Sequence, residues 1–356
     1  MNATVHSFGD AAVLAATGDG AERTPLCILG VAGALIWHNL RAAGPAFAAD
    51  RLASAFGLDP AAAAAEVAAA ARTWARAGLL GSASATPRHG PSVPAALPPV
   101  ARRRVYALCG VPIAVRFAAR AVEALVVPRF AWSERPGLAP VTSLTLARDR
   151  RGYLLREAGE PDIRAADAVT MSGLFTRRFA ELSHGTRDWL AVLHAAAVGD
   201  ARGAIVLPGP NGTGKSTLTA ALLAGGARYF SDDCVPIDGS GLIRPVPFAL
   251  SHKDRCAGRL RLAYQQPPGP APLPAPPRLF LFPRFSDGCR PEARRLTPPE
   301  ALGGLVAGRA WLSRRPEGLR RTLAMIEAVP AWELAYPSTA EALALVADCE
   351  RMAAAA

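Results

Sequence analysis

The sequence predicts an α/β chain of the α+β kind, with a small winged-helix-like unit ahead of a larger core built around a glycine-rich loop. Three observations predict it. Residues 1–85 carry one short apolar run and three stretches of helical periodicity. A proline-rich stretch, residues 86–100 (TPRHGPSVPAALPPV), then reads as a stiff linker. Residues 203–223 read as strand, glycine-rich loop and helix in direct succession.

In the front unit, Ala11–Thr17 is expected as a strand. Leu26–Leu40 is expected as a helix with Ile28, Val31, Leu35 and Ile36 on one face, and Phe47–Phe56 as a second with Phe47, Leu52 and Phe56 inward. Asp59-Pro60 supplies a cap and a first-turn proline for an alanine-rich helix that Gly78 stops. Residues 101–190 form the strand-rich first part of the core, with apolar runs at Val105–Leu108, Val111–Val115, Leu125–Val127 and Ser143–Leu146. A helix follows near Ser172–Leu182. From residue 191 to 356 the nucleotide-binding part begins with strands Leu193–Val198 and Gly203–Leu207, joined by a hairpin turn at Gly199–Arg202. The helix Ser216–Leu223 ends at Gly225-Gly226, and Ala227–Phe230 is expected as a strand beside the loop strand. Pro267–Pro277 is a surface loop and Arg278–Phe282 a strand. Residues 298–307 and 317–327 are helical, and Thr339–Cys349 is a final helix.

Composition narrows the function classes. The 356 residues suffice for two or three cores. No apolar run approaches the ~18–20 residues that cross a bilayer, so no membrane is expected as partner. Met1–His6 shows no basic segment ahead of an apolar one, so no signal peptide is expected. The six cysteines form no C-x-x-C pair, which fits a reducing cytoplasm and neither zinc nor a disulfide framework. Net charge is +11, yet residues 1–85 carry five arginines against six acids. A DNA-binding winged helix needs a basic face, so DNA is not expected there. Only two of the 40 basic residues are lysines, Lys215 and Lys253. A lysine kept against that bias points to a site where a compact ammonium works and a wide guanidinium does not.

Gly209–Ser216 (GPNGTGKS) fits G-x-x-x-x-G-K-[ST] in full, with the required strand before it and helix after it. Glycines let backbone N–H groups converge on phosphate oxygens, and the helix N-terminus adds partial positive charge. Gly209, Asn211, Gly212, Thr213, Gly214, Lys215, Ser216 and Thr217 are therefore the candidate nucleotide-binding residues, for ATP with Mg²⁺. Lys215 is expected at the β- and γ-phosphates and the Ser216 hydroxyl at the metal. An ABC-type signature is absent, and the GTPase N-K-x-D cannot be written with these two lysines.

Just past the helix stands Tyr229-Phe-Ser-Asp232-Asp233. Two carboxylates beside a phosphate loop can divide proton removal and metal binding between them. His194 on its apolar strand reads first as a core histidine, but it neighbours the loop strand. Lys253 is a candidate nucleotide contact and Arg255 a weaker one.

These segments together resemble a known family. His194-Ala-Ala-Ala, the loop, Tyr229–Asp233 and Pro247-Phe-Ala-Leu-Ser-His-Lys253 look like the HPr kinase/phosphorylase-related kinases, over roughly residues 100–350. The resemblance implies a mixed-sheet phosphate-loop core shared with phosphoenolpyruvate carboxykinase, and ATP-dependent phosphorylation of a protein or peptide side chain, usually serine. It implies Asp232 as catalytic base, Ser216 with Asp233 at Mg²⁺, His194 near the reacting groups, and a homo-oligomer. Thr217 stands where the HPr enzymes have Glu, and their phosphorolysis signature is missing, so HPr itself is not the expected substrate.

Residues 1–85 resemble PqqD-like peptide-recognition domains through Gly33–Trp37, Phe56–Asp59 and Ala77–Leu80. That implies a leader peptide added as a strand, and hence a kinase for a Ser or Thr of a ribosomally made precursor peptide or small protein. Two alternatives stay open: a small-molecule kinase in which residues 1–85 only pack, and a non-catalytic ATP-gated binding protein.

Overall fold

Strict alternation along residues 195–208 builds the centre of the molecule. The computed structural model describes residues 2–8, 11–17, 26–77, 79–80, 99–108, 110–184, 189–210, 212–246, 248–256, 259–266, 273–308, 310–313 and 315–355. The linker residues 86–98, Asn211 and residues 267–272 lie outside them.

The front unit opens with β1 (Asn2–Phe8), β2 (Ala11–Thr17) and β3 (Cys27–Leu29), an antiparallel sheet in that order. Helices α1 (Val31–Phe56) and α2 (Pro60–Arg76) follow. Several expectations need correction. The first helix begins at Val31, not Leu26, because Cys27–Leu29 pairs with β2 and Gly30 ends the extended backbone. The expected single strand is one of three. Gly44 (φ 85) breaks α1 into two arms, so three helical segments remain. Within the second arm Leu52 is buried, but Phe47 and Phe56 are exposed. Nine residues are about two and a half turns, so those two rings cannot share a face. Val31 is exposed too, and Trp37 takes the core position, edge-on to Trp74 at 5.1 Å. The Asp59 carboxylate caps α2 by accepting from the N–H groups of Ala61 and Ala62.

The strand-rich part contains β4 (Arg102–Leu108) and β5 (Val111–Phe117). Short helical turns α3 (Arg120–Glu123) and α4 (Val127–Phe130) come next. They are followed by β6 (Thr142–Asp149), β7 (Gly152–Glu157), β8 (Ile163–Ala165) and α5 (Ala168–His184). The five strands form one sheet in sequence order. β5 and β6 are parallel, so the chain between them must cross over. That explains why Leu125–Val127 is not the expected strand: Val122, Val126 and Phe130 are buried at a spacing of four, a helical period.

Next come β9 (Trp189–Leu193), β10 (Ala195–Asp200), β11 (Gly203–Pro208), α6 (Lys215–Ala224), β12 (Arg228–Asp232) and β13 (Val235–Asp238). β14 (Leu250–Cys256) and β15 (Arg259–Gln265) form a separate hairpin. The chain closes with β16 (Pro277–Phe285), β17 (Glu292–Arg295), α7 (Pro298–Ala307), β18 (Trp311–Leu312), α8 (Pro316–Ala328), β19 (Ala331–Tyr336) and α9 (Thr339–Ala354). The central sheet is mixed, in the order β12-β10-β11-β16-β19-β17, and β13-β9-β18 form a small sheet. The hairpin β10–β11 matches expectation. Leu193–Val198, however, is two strands in two sheets, broken at His194. β12 is also not beside the loop strand β11: its partner is β10, and the other side of β11 is taken by parallel β16.

Ala196, Val198, Ile205 and Leu207 pack with Leu218, Val346 and Cys349 of α6 and α9. Ala195, Ala197, Ala204 and Val206 face the opposite way, toward α7, α8 and the small sheet. Phe8, Val13 and Ala15 of the front sheet join that second core, while Ala12 and Leu14 face α1 and α2. β2 is thus buried on both faces. Among the described residues no helix is long and apolar enough to cross a membrane.

Candidate active site

The loop between β11 and α6 is shaped by positive φ angles that side chains resist: Gly209 at 144°, Gly212 at 90° and Gly214 at 97°. A Cβ at Gly214 would stand 2.4 Å from the Tyr336 hydroxyl, so glycine is required there twice over. Lys215 opens α6 and is buried; its Nζ donates to the carbonyls of Gly209 (2.7 Å) and Pro210 (2.8 Å). The Thr213 hydroxyl also donates to Pro210 O, at 3.1 Å. These bonds tie the loop together at the N-terminus of α6, where backbone N–H groups and the helix dipole favour an anion.

Gly212, Gly214, Lys215, Ser216 and Thr217 line a cleft of about 1300 Å³. His194, Asp233, Phe285, Tyr336 and Trp311 line it too, as does one face of α5. The break at His194 between β9 and β10 turns the imidazole out of the sheets. Its Nδ1–H donates to the Asp233 carbonyl at 3.3 Å, which leaves the lone pair on Nε2. Burial lowers the imidazole pKa below its usual 6.5, against the pull of Asp233, so His194 is neutral at pH 7.

The two aspartates separate. Asp232 ends β12 with its carboxylate oxygens buried; the residue is 1 % exposed and is not among those that line the cleft. Asp233 turns the other way because its φ is 79°, the one non-glycine residue with positive φ among those described. Such a conformation is uncommon outside glycine, and aspartate is one of the few side chains that take it. Burial pushes the Asp233 carboxyl upward, but Arg129, His194 and Lys215 outweigh it and hold it below the usual carboxylate range.

Arg129 carries no motif, and sequence reasoning missed it. It lies on the β5–β6 crossover, 103 residues before Asp232, and only tertiary packing brings it to the cleft. Its Nη2 donates to Asp233 Oδ2 and, at 3.5 Å, to the Asp232 carbonyl. Its guanidinium stands 5.4 Å from the Phe248 ring centroid.

Of the remaining candidates, Gly209 is buried behind the loop and Asn211 lies outside the described residues. Lys253 and Arg255 fall on β14, with side chains outside the described set. The donor set fits a magnesium nucleotide. Mg²⁺ keeps most of its shell as water and phosphate oxygen and asks the protein for one or two oxygens, which Ser216 and Asp233 can give. A larger cage of three or more His, Cys, Asp or Glu is absent among the described residues. No protein-family model matches the chain, and no curated protein matches it.

Proposed function

We propose that this chain is an ATP-dependent phosphotransferase acting on a Ser or Thr hydroxyl of a precursor peptide or small protein. The observation that carries the reading is that the glycine loop, Lys215, Ser216, Asp233 and His194 open into one cleft. The segments around the loop are what resemble the HPr kinase-related kinases, which implies a mixed sheet like the one that carries the loop, and the β1 and β3 edges offer residues 1–85 a place for an added leader strand.

Mg²⁺, when bound, neutralises charge on the transferring phosphoryl group. Ser216 and Asp233 would hold it. The loop amides and Lys215, released from its loop carbonyls, bind and orient the phosphates. His194 Nε2 takes the hydroxyl proton: it is neutral, its tautomer is set by Asp233, and it lies on the cleft. Asp232, the carboxylate the motif suggests for that task, is 1 % exposed and does not line the cleft, which favours His194 in this reading; its carbonyl accepts from Arg129.

One observation favours the small-molecule alternative. Phe8, Val13 and Ala15 are built into the main core, so the front unit has a packing role whatever else it binds. Full-length protein with γ-labelled ATP, offered a Ser/Thr-bearing precursor peptide and a panel of hydroxyl metabolites, separates the two. Label on the peptide supports the proposal. Label only on a metabolite selects the alternative, and no nucleotide binding by calorimetry with Mg²⁺ rejects both.

A further inference from the structure

This inference rests on the reading that the cleft takes a magnesium nucleotide. We infer that Arg129 is a positioning residue. It holds Asp233 in the left-handed conformation that aims its carboxylate into the cleft, and so makes the site complete only when the strand-rich part is docked on the loop-bearing sheet.

Three observations carry it. Asp233 has a positive φ (79°), a backbone conformation uncommon outside glycine that aspartate can adopt when its side chain and carbonyl are held. One guanidinium nitrogen of Arg129 spans the Asp232–Asp233 junction, reaching the Asp233 carboxylate on one side and the Asp232 carbonyl on the other. His194 holds the Asp233 carbonyl, so carboxylate and backbone are pinned separately.

The clamp is itself buried. Arg129 is 4 % exposed and packed over Phe248, and its carbonyl accepts from Ala249 N–H at 3.5 Å. Next to it Phe130 sits edge-on to Phe175, Phe179 and Phe248, with centroids at 5.4, 5.0 and 4.9 Å. This aromatic cluster joins α4, α5 and the segment before β14. Nη2 is committed to the two aspartates, and Arg129 is accordingly assigned an action through Asp233 rather than on phosphate.

The test uses full-length protein, Mn²⁺ as the metal probe and a non-hydrolysable ATP analogue. Arg129→Met is expected to weaken Mn²⁺ binding about tenfold or more, the usual loss when a partner of a metal-binding carboxylate is removed. Binding of the analogue in EDTA should stay within about twofold, since the loop is untouched. In an Asp233→Asn background Arg129→Met should add nothing, because non-additivity is the mark of residues acting as one. Arg129→Lys keeps the charge and loses the two-way reach. It should give an intermediate loss, and it serves as the readout where the methionine variant fails to fold. Amide exchange at residues 232–234 should quicken in both variants. Equal loss of analogue binding in EDTA would show Arg129 touching phosphate itself and overturn the inference, as would additive losses or unchanged exchange at 232–234. A parent protein that binds neither nucleotide nor Mn²⁺ defeats the functional reading instead, and the exchange measurement then decides on Arg129 alone.

Discussion

His194 owes its chemistry to two neighbours: the fold that buries it and the Asp233 carbonyl that fixes its tautomer. If Nε2 is the proton acceptor, turnover rises with pH through a midpoint below 6.5 and is level above it. His194→Gln should remove that acid limb and lower kcat by about 10²–10⁴-fold. Asp232→Asn should keep the limb; a profile unchanged in His194→Gln would assign the proton to another group. The same burial sets a stability term. The folded imidazole resists protonation, so the unfolded chain takes up the proton first. Stability therefore falls as pH drops from about 6.5 toward the lowered folded value. Tyr336 offers a second residue-scale test. Its hydroxyl is buried without a hydrogen-bond partner among the described residues, and burial pushes its pKa up to about 12. Tyr336→Phe keeps the ring beside Phe285 and removes a desolvated polar group. It should raise stability by about 1 kcal/mol, read as a higher urea midpoint at constant slope.

Elements in this chain are set by their ends. α7 carries a full capping box: Thr297 N–H donates to Glu300 Oε2 at 2.8 Å, and the Thr297 hydroxyl accepts from Glu300 N–H. Thr297→Ala should cost about 1 kcal/mol in denaturant unfolding. The Thr297 backbone N–H, then Arg294, holds the Glu300 pKa at about 2. Its folded value is depressed, so its contribution is present above the ordinary 4.5 and fades as pH falls toward 2. The glycine loop is set by φ. Gly214→Ala adds a methyl at φ 97° and 2.4 Å from the Tyr336 hydroxyl, and should lower nucleotide affinity at least about tenfold while the chain still folds. Adding Tyr336→Phe relieves only the collision and should restore part of the loss. Full recovery would mean that the backbone angle is not the constraint. The loop's flanks and the helices α2, α6, α7, α8 and α9 were legible because caps, prolines and 3.6-residue periods are local. The start of α1 was not, since Leu26–Ile28 fits helix and strand equally until β2 supplies a partner.

At the scale of the whole molecule, the front unit and the core share apolar surface. Phe8, Val13, Ala15 and Leu26 belong to the cluster that includes Leu302, Leu305, Leu319 and Leu323. Burying a large apolar side chain is worth about 1.5–3 kcal/mol. Removing residues 1–85 should therefore lower the melting temperature by about 10 °C or more, and the truncated chain should expose a dye-binding apolar face. An unchanged melting temperature would mean that the two cores are independent. Truncation alone thus cannot tell a peptide-recruiting front unit from a packing one. Charge substitutions along the β1 and β3 edges, which leave the shared core alone, are the cleaner probe.

The phosphate loop, its flanking strand and helix, and the presence of a paired acid after it were determined by sequence alone. Each depends on contiguous residues: glycines that permit positive φ, a lysine at a helix start, and apolar periods on either side. Which acid faces the cleft, what turns His194 out of the sheet and how Arg129 arrives were decided only by the tertiary structure. Those depend on the strand β10 inserted between β12 and the loop strand, and on a parallel crossover that brings Arg129 to a partner 103 residues further along the chain. No local pattern encodes a meeting of that range, because its energy lies in the packing of elements against one another.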